Sequence, residues 1–296
     1  LFTYGYDLWK QHAQWYGDTL GALEVVNEAD LSSNASLGSA ERYAAYYKAA
    51  AIGISDAENK IYQTMTPTAS SGGIWNDLLY RNDVLKYTDI QNYHAHEGVA
   101  LRTKQIKEKQ IAYSDSKLPI WLTEAGYTQI TKEGDVLSLD QMKTASEQLI
   151  KRAMDSLSNG ATKHFWFLLT PYIENGGNYS SHHPSGMPYP MYSVLSNLTY
   201  QLGEGRYIGA ADVPAGMTGH MFSDGLGNDV MVLYSDSENY AVIKADKVRY
   251  SDITGYEQIK TADENGEIRI FAGSEPVFVK FFGKAPESVY FPKTIE

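Results

Sequence analysis

The chain has 296 residues, enough for about two ordinary domains or one large barrel. Its composition, 43% hydrophobic and 21% charged, is that of a globular protein, and a net charge of -11 argues against nucleic acid or an anionic membrane surface as partner. The absence of cysteine excludes disulfides, thiolate metal sites and cysteine nucleophiles.

From the start to about residue 205, helical and strand patterns alternate. A helix is predicted over residues 7–20, followed by the strand "ALEVV" (22–26). "SAERYAAYYKAAAIGI" (39–54) places Tyr43, Ala44, Tyr47 and Ala51 at helical spacing. "NKIYQTMT" (59–66) reads as a strand and "GIWNDLLYRNDVL" (73–85) as a short helix. "TDIQNYHAH" (88–96) is a third strand, a basic helix covers about 100–113, and "LPIWLTEAG" (118–126) is a fourth strand. Ser138 with Gln141 three residues on forms a capping box. The helix it opens is expected to turn Leu139, Met142, Leu149, Ala153 and Leu157 inward and to stop near Gly160. "KHFWFLL" (163–169) is a fifth strand and "MYSVLSNLTYQL" (191–202) a closing helix.

Alternating helices and near-continuous apolar strands are the pattern of a parallel sheet covered by helices. Beyond about residue 206, short β-rich runs such as "DVMVLYS" (229–235), "NYAVIKA" (239–245), "GEIRIFA" (266–272) and "PVFVKFF" (276–282) are separated by Asp/Gly/Asn turns. The expected organisation is therefore an α/β unit over residues 1–205 and a small antiparallel β-sandwich over 206–296.

Two strands end alike. "LEVVNEAD" carries Glu28 just past an apolar run, and "LPIWLTEAG" does the same for Glu124. Positions 28 and 124 are 96 residues apart, or three βα steps of about 30 residues each. That pitch favours a barrel, although a doubly wound sheet stays open. In a closed parallel barrel, both strand ends would face the mouth where active sites lie.

With these motifs the chain resembles the retaining glycoside hydrolases of clan A, eight-stranded (β/α)8 TIM barrels whose fourth strand ends in Asn-Glu and whose seventh ends in a second Glu. The resemblance implies a glycosidase that retains configuration by double displacement, with Glu28 as acid/base and Glu124 as nucleophile. It further implies that Asn27 bonds the hydroxyl beside the reacting carbon, that His94 and His96 hold the sugar or the nucleophile, and that Trp166 floors a sugar subsite. No metal or organic cofactor is implied. Glu28, partly buried beside the charge of Glu124, is expected to hold its proton more tightly than Glu124 does. This chain departs from the family in having Ala29 where Pro is common, and in lacking sequence for the first three strands. The five βα units present would be completed by an omitted segment of a longer protein or by a companion chain, and oligomeric assembly is left open.

Each residue also has a plainer reading. Glu28 alone could be a solvated loop acid or a helix cap. His94 and His96 share one strand face and could ligate a metal, but spacing supplies no third ligand, so a polar pocket lining is preferred. Trp166, and Trp75 in "SSGGIWND", could be sugar platforms or core packing. The Gly/His/Tyr-rich loop 174–190 could cover a site or merely connect, and His182 and His183 are expected to be exposed. Basic residues between Lys104 and Lys109 suit a solvated helix face. No nucleotide-binding fingerprint occurs, and Asn-x-Ser/Thr at Asn34, Asn178 and Asn197 is near chance. Neither a membrane-spanning apolar run nor a signal-peptide pattern is seen. The main alternative to a glycosidase acting on a saccharide is a non-catalytic carbohydrate-binding or assembly protein on the same scaffold. A secreted or periplasmic location is favoured, because enzymes of polymeric glycans usually work outside the cell.

Overall fold

The computed structural model describes residues 2–17, 19–31, 38–58, 61–64, 68–69, 73–114, 117–130, 136–286 and 290–292. Asn34 and both ends of the predicted strand 59–66 lie outside them. No helix among the described residues is long and apolar enough to cross a membrane.

The helices are α1 (Phe2–Tyr16), α2 (Ala40–Ser55), α3 (Ile74–Arg81), α4 (Val99–Tyr113), α5 (Leu139–Ser158) and α6 (Pro190–Leu202), with a 3₁₀ turn at Val84–Tyr87. Up to α6 the strands are β1 (Ala22–Glu24), β2 (Tyr62–Thr64), β3 (Gln91–His94), β4 (Ile120–Ala125), β5 (Gln129–Ile130), β6 (Lys163–Trp166), β7 (Ile173–Glu174) and β8 (Gly177–Asn178). After it come β9 (Arg206–Ala211), β10 (Met217–Ser223), β11 (Asp229–Ser235), β12 (Asn239–Lys244), β13 (Lys247–Ser251), β14 (Glu257–Thr261), β15 (Glu267–Ala272), β16 (Val277–Phe281) and β17 (Tyr290–Pro292). Two compact units result: residues 1–125 with 159–165, and residues 126–158 with 166–296.

In the first unit β1 pairs β2 in parallel, β3 pairs β4 in parallel, and β6 joins the free edge of β4. Helix α2 presents Tyr43, Ala44, Tyr47, Ala51 and Ile54 to the core at the spacing its sequence predicts. Tyr43 and Tyr47 are fully buried, and each spends its hydroxyl on the strand layer: Tyr43 donates to Val25 O (2.8 Å), while Tyr47 meets Thr88 Oγ1 (2.9 Å). A second cluster joins Tyr93, Ile120, Leu122 and Ala125 of the strands to Val99 and Ile106 of α4. On β3 the residues alternate. Gln91 and Tyr93 turn to α3 and α4, bonding Tyr80, Gln110 and Thr103, which leaves Asn92 and His94 on the opposite face. The basic helix is not wholly solvated, since Lys109 is ion-paired to Asp77 and mostly buried.

The second unit is built on a seven-stranded antiparallel sheet of order β14-β13-β16-β11-β10-β9-β17. Both of its faces are covered. Val230 and Val232 of β11, with Phe222 and Phe278, pack against Leu149, Ile150 and Ala153 of α5 and Val194 and Leu198 of α6. Met231 and Leu233 point the other way, onto Ile243, Ile268 and Ile270 of the two-stranded ribbon β12-β15. This period-2 alternation with apolar residues on both faces explains why β11 reads as an unbroken apolar run. It also explains why α5 and α6 group with the sheet: their apolar stripes are buried on it.

The capping box forms as read, with Ser138 Oγ accepting from Gln141 N (3.2 Å) and Gln141 Oε1 from Ser138 N (2.9 Å). Leu139 does not turn inward: it is 81% exposed, although it stands at helical spacing with buried Ser146, Ile150 and Ala153. His182 and His183 are half-buried rather than exposed, the first through Leu169 O (2.7 Å) and the Tyr192 ring.

Candidate active site

The site in the first unit is assembled from three strand ends. The β1 ladder stops at Glu24, two residues earlier than the apolar run suggests, because Val26 turns to φ 70° and Glu28 to φ 44°. Left-handed backbone is costly for a β-branched residue such as Val26, and strain of this kind concentrates where a chain must aim a side chain. The turn closes through Leu31 N donating to Glu28 O (3.0 Å), and the Tyr43 hydroxyl pins Val25 from below.

Glu124 is aimed by a bulge. Tyr93 pairs with Leu122, but His94 pairs with Glu124, so Thr123 is one residue too many on β4. The insertion breaks the alternation that would otherwise turn Glu124 to the helix side with Leu122, and it brings Thr123 and Glu124 round toward His94. His94 and His96 lie on one face of their segment, as their spacing predicts, and both reach the carboxyls. The imidazole N–H at His94 Nδ1 donates to Glu28 Oε1 at 2.9 Å and lies 3.6 Å from Glu124 Oε2. His96 Nε2 is 3.0 Å from Glu124 Oε1. A carboxylate oxygen of each glutamate and a ring nitrogen of His94 all fall within 4.8 Å of one another. The side chains of Glu28 and Glu124 are 16% and 19% exposed and that of His94 is 3%, so the pair is reachable from outside and its histidine is not.

The electrostatics correct one expectation. The hydrogen bond from His94, aided by the charges of His94 and His96, outweighs burial and holds the Glu28 carboxyl below its ordinary value. The sequence shows a neighbouring carboxylate, which would raise Glu28, but not the donor that touches it. A third carboxyl, Glu24, was not singled out from the sequence. Burial pushes it above its ordinary value, against the opposing effects of His94, Thr123 and Asn92. Its signal was only its place in "LEVV", inside an apolar strand where a charged residue is unexpected.

The remaining candidates are dispersed. Asn27 is exposed beside Glu28. Trp75 on α3 packs against the Tyr43–Tyr47 cluster with its indole N–H buried and unpaired. Trp166 belongs to the second unit and packs against the α5–α6 cluster, its indole N–H likewise buried and unpaired. The third metal donor that spacing did not supply is present in space: Glu28, His94 and Glu124 could surround a small divalent cation. Ligands about 2.0–2.1 Å from a tetrahedral zinc ion stand roughly 3.3–3.4 Å apart, so the 2.9 Å from His94 to Glu28 suits a hydrogen bond better.

No protein-family model matches the sequence, and no curated protein sequence matches it. Solved structures do. A family 39 glycoside hydrolase from the gut symbiont Bacteroides cellulosilyticus WH2 superposes with a TM-score of 0.68 at 14% identity, over 91% of this chain and 60% of that one. The catalytic domain of GH30 xylanase C from Talaromyces cellulolyticus gives 0.63 at 14%, over 93% and 66%. A glucosidase from Croceicoccus marinus gives 0.68 at 8%, over 92% and 73%. The chain thus spans less than two thirds of the first two. The structural neighbours are glycoside hydrolases of the group its motifs resemble, and at this identity the property they share with it is the fold.

Proposed function

We propose that this chain carries the reacting carboxyl pair of a retaining glycosidase. The observation that carries the reading is the convergence of Glu28 and Glu124, from strand ends three βα steps apart, to within 4.8 Å at their nearest oxygens. Retaining enzymes hold their two carboxyls about 5–5.5 Å apart and inverting ones about 6.5–9.5 Å, because only the latter leave room for a water beneath the sugar. In this proposal residues 1–205 are five βα steps of an eight-stranded barrel and 206–296 a β-sandwich. The other strands come from the same longer protein or from a companion chain.

In the forward step Glu124 attacks the anomeric carbon while Glu28 protonates the departing oxygen, passing through an oxocarbenium-like state. His96 holds Glu124 through Oε1, leaving Oε2 for the carbon. Because His94 favours ionised Glu28, the acid is protonated only at acidic pH in the free site, and the substrate oxygen must compete with His94 for it. Once Glu124 is esterified its charge is gone, and Glu28, already biased to the ionised form, serves as base toward water. Exposed Asn27 is proposed to bond the neighbouring hydroxyl. Chelators are expected to leave turnover intact.

The test is covalent trapping. Activated 2-deoxy-2-fluoro glycosides of xylose and glucose, the sugars named for several similar structures, should label Glu124, identified by peptide mass. Glu124→Ala should abolish turnover of aryl glycosides, and azide should restore it with inverted product. A chain that binds sugar but is neither labelled nor active would overturn the reading in favour of a non-catalytic saccharide binder.

A further inference from the structure

The mechanism above makes no use of Glu24, yet this carboxyl is half-buried in the same layer of the first unit. Its Oε2 accepts from Asn92 Nδ2 at 2.6 Å. The same amide reaches Thr123 Oγ1 at 3.4 Å. Asn92 is 2% exposed and its Oδ1 has no partner, so the amide is committed to this cluster.

The three residues belong to three strands. Glu24 ends β1, four residues before Glu28; Asn92 lies on β3, two before His94; Thr123 is the extra residue of the bulge, directly before Glu124. Among the described residues the backbone ladders run β1 to β2 and β3 to β4, and none joins β1 to β3 or β4. Asn92, bonded to Glu24, is thus a side-chain tie from the Glu28 strand to the strands carrying His94 and Glu124, beside the His94–Glu28 bond. Burying a carboxyl here is costly, and an apolar side chain would fill the position more cheaply.

We propose that Glu24 is a positioning residue for the Glu28–Glu124 pair: by holding the Asn92 amide, which also reaches Thr123, it fixes the distance between the strand ends that bear the two carboxyls. Its kinetic consequence rests on the glycosidase reading; its geometric one does not. The titratable groups that face Glu24 are His94 and Glu124, and desolvation together with the Glu124 charge favours its neutral form.

Glu24→Ala and Glu24→Gln separate this role from mere filling. Gln keeps an acceptor for Asn92, whereas Ala removes the tie. Glu24→Ala should lower kcat on an aryl glycoside at least about ten-fold with KM within about two-fold, since misplacing a reacting group by an ångström costs rate rather than affinity. It should also move the acidic limb of the pH profile, and Glu24→Gln should recover most of kcat. A kcat and pH profile unchanged in the folded Ala variant, or a Gln variant as impaired as Ala, would overturn the proposal. Carboxyl ¹³C resonances of labelled glutamate, assigned through Glu28→Gln and Glu124→Gln, provide a readout that needs no turnover. Shifted Glu28 and Glu124 signals in Glu24→Ala support the tie even if the parent chain proves inactive, which would count against the glycosidase reading alone. Unmoved signals refute the tie in either case.

Discussion

Replacing His94 removes the largest interaction that holds the Glu28 carboxyl down. The imidazole donates to Glu28 Oε1 at 2.9 Å and is 3.6 Å from Glu124 Oε2, so it is in reach of both carboxyls. His94→Phe keeps a planar ring and removes the donor; His94→Asn keeps a neutral donor and removes the charge. A hydrogen bond to a charged group is worth about 1.5–3 kcal/mol, and this carboxylate is partly open to water, which screens the effect to the low end of that range, so losing the bond raises the Glu28 carboxyl. Because protonated Glu28 is the proposed acid, kcat/KM should fall as pH rises through the Glu28 pKa. That alkaline limb should move up in His94→Phe and by less in His94→Asn. The assay is kcat/KM for an aryl glycoside between pH 3 and 8, with circular dichroism at each pH to confirm folding. An alkaline limb that stays in place, or moves down, in a folded Phe variant would refute the argument.

Other consequences are as direct. Glu28→Ala should slow glycosides with poor leaving groups far more than those with activated aryl groups, as read from paired kcat/KM values, since only the former need a proton. Excess zinc should inhibit competitively by occupying Glu28, His94 and Glu124, with inhibition lost on adding chelator; non-competitive zinc inhibition would point elsewhere. His220 in the second unit is held neutral by burial, its pKa pushed down to about 4. An unfolded histidine gains its proton near pH 6.5 while the folded one resists to about 4. Stability should therefore fall by roughly 3 kcal/mol as pH drops through that window, and urea titrations of His220→Phe should lose this component. A Cβ added at Gly53 would sit 2.3 Å from Tyr6 O, so Gly53→Ala should pry α1 from α2 and cost about 2 kcal/mol or more in urea unfolding.

How much of this was legible in the sequence depends on the range over which each signal acts. The tyrosine face of α2 and the Ser138–Gln141 box were readable because both depend on residues three or four apart. Leu139 was misread because a stripe drawn by spacing alone ignores that the first turn projects beyond the packed surface. Glu28 and Glu124 could be named from strand ends, and His94 and His96 from the family resemblance, yet what aims them is not periodic. The positive φ of Val26 and the extra residue Thr123 both break the rule by which strand residues are assigned to faces. A strict period-2 reading of "IWLTEA" puts Glu124 with Ile120 and Leu122, on the side of α4; only the bulge reverses it. The same limit governed the charges. Glu124 could be foreseen as a neighbour of Glu28, but the donor that outweighs burial there comes from a separate strand, 66 residues away. The misplaced expectation and the unforeseen Glu24 therefore have one origin. Local pattern tells which side chains leave a strand toward a site, whereas the balance of charge there is set by contacts between strands that no local pattern encodes.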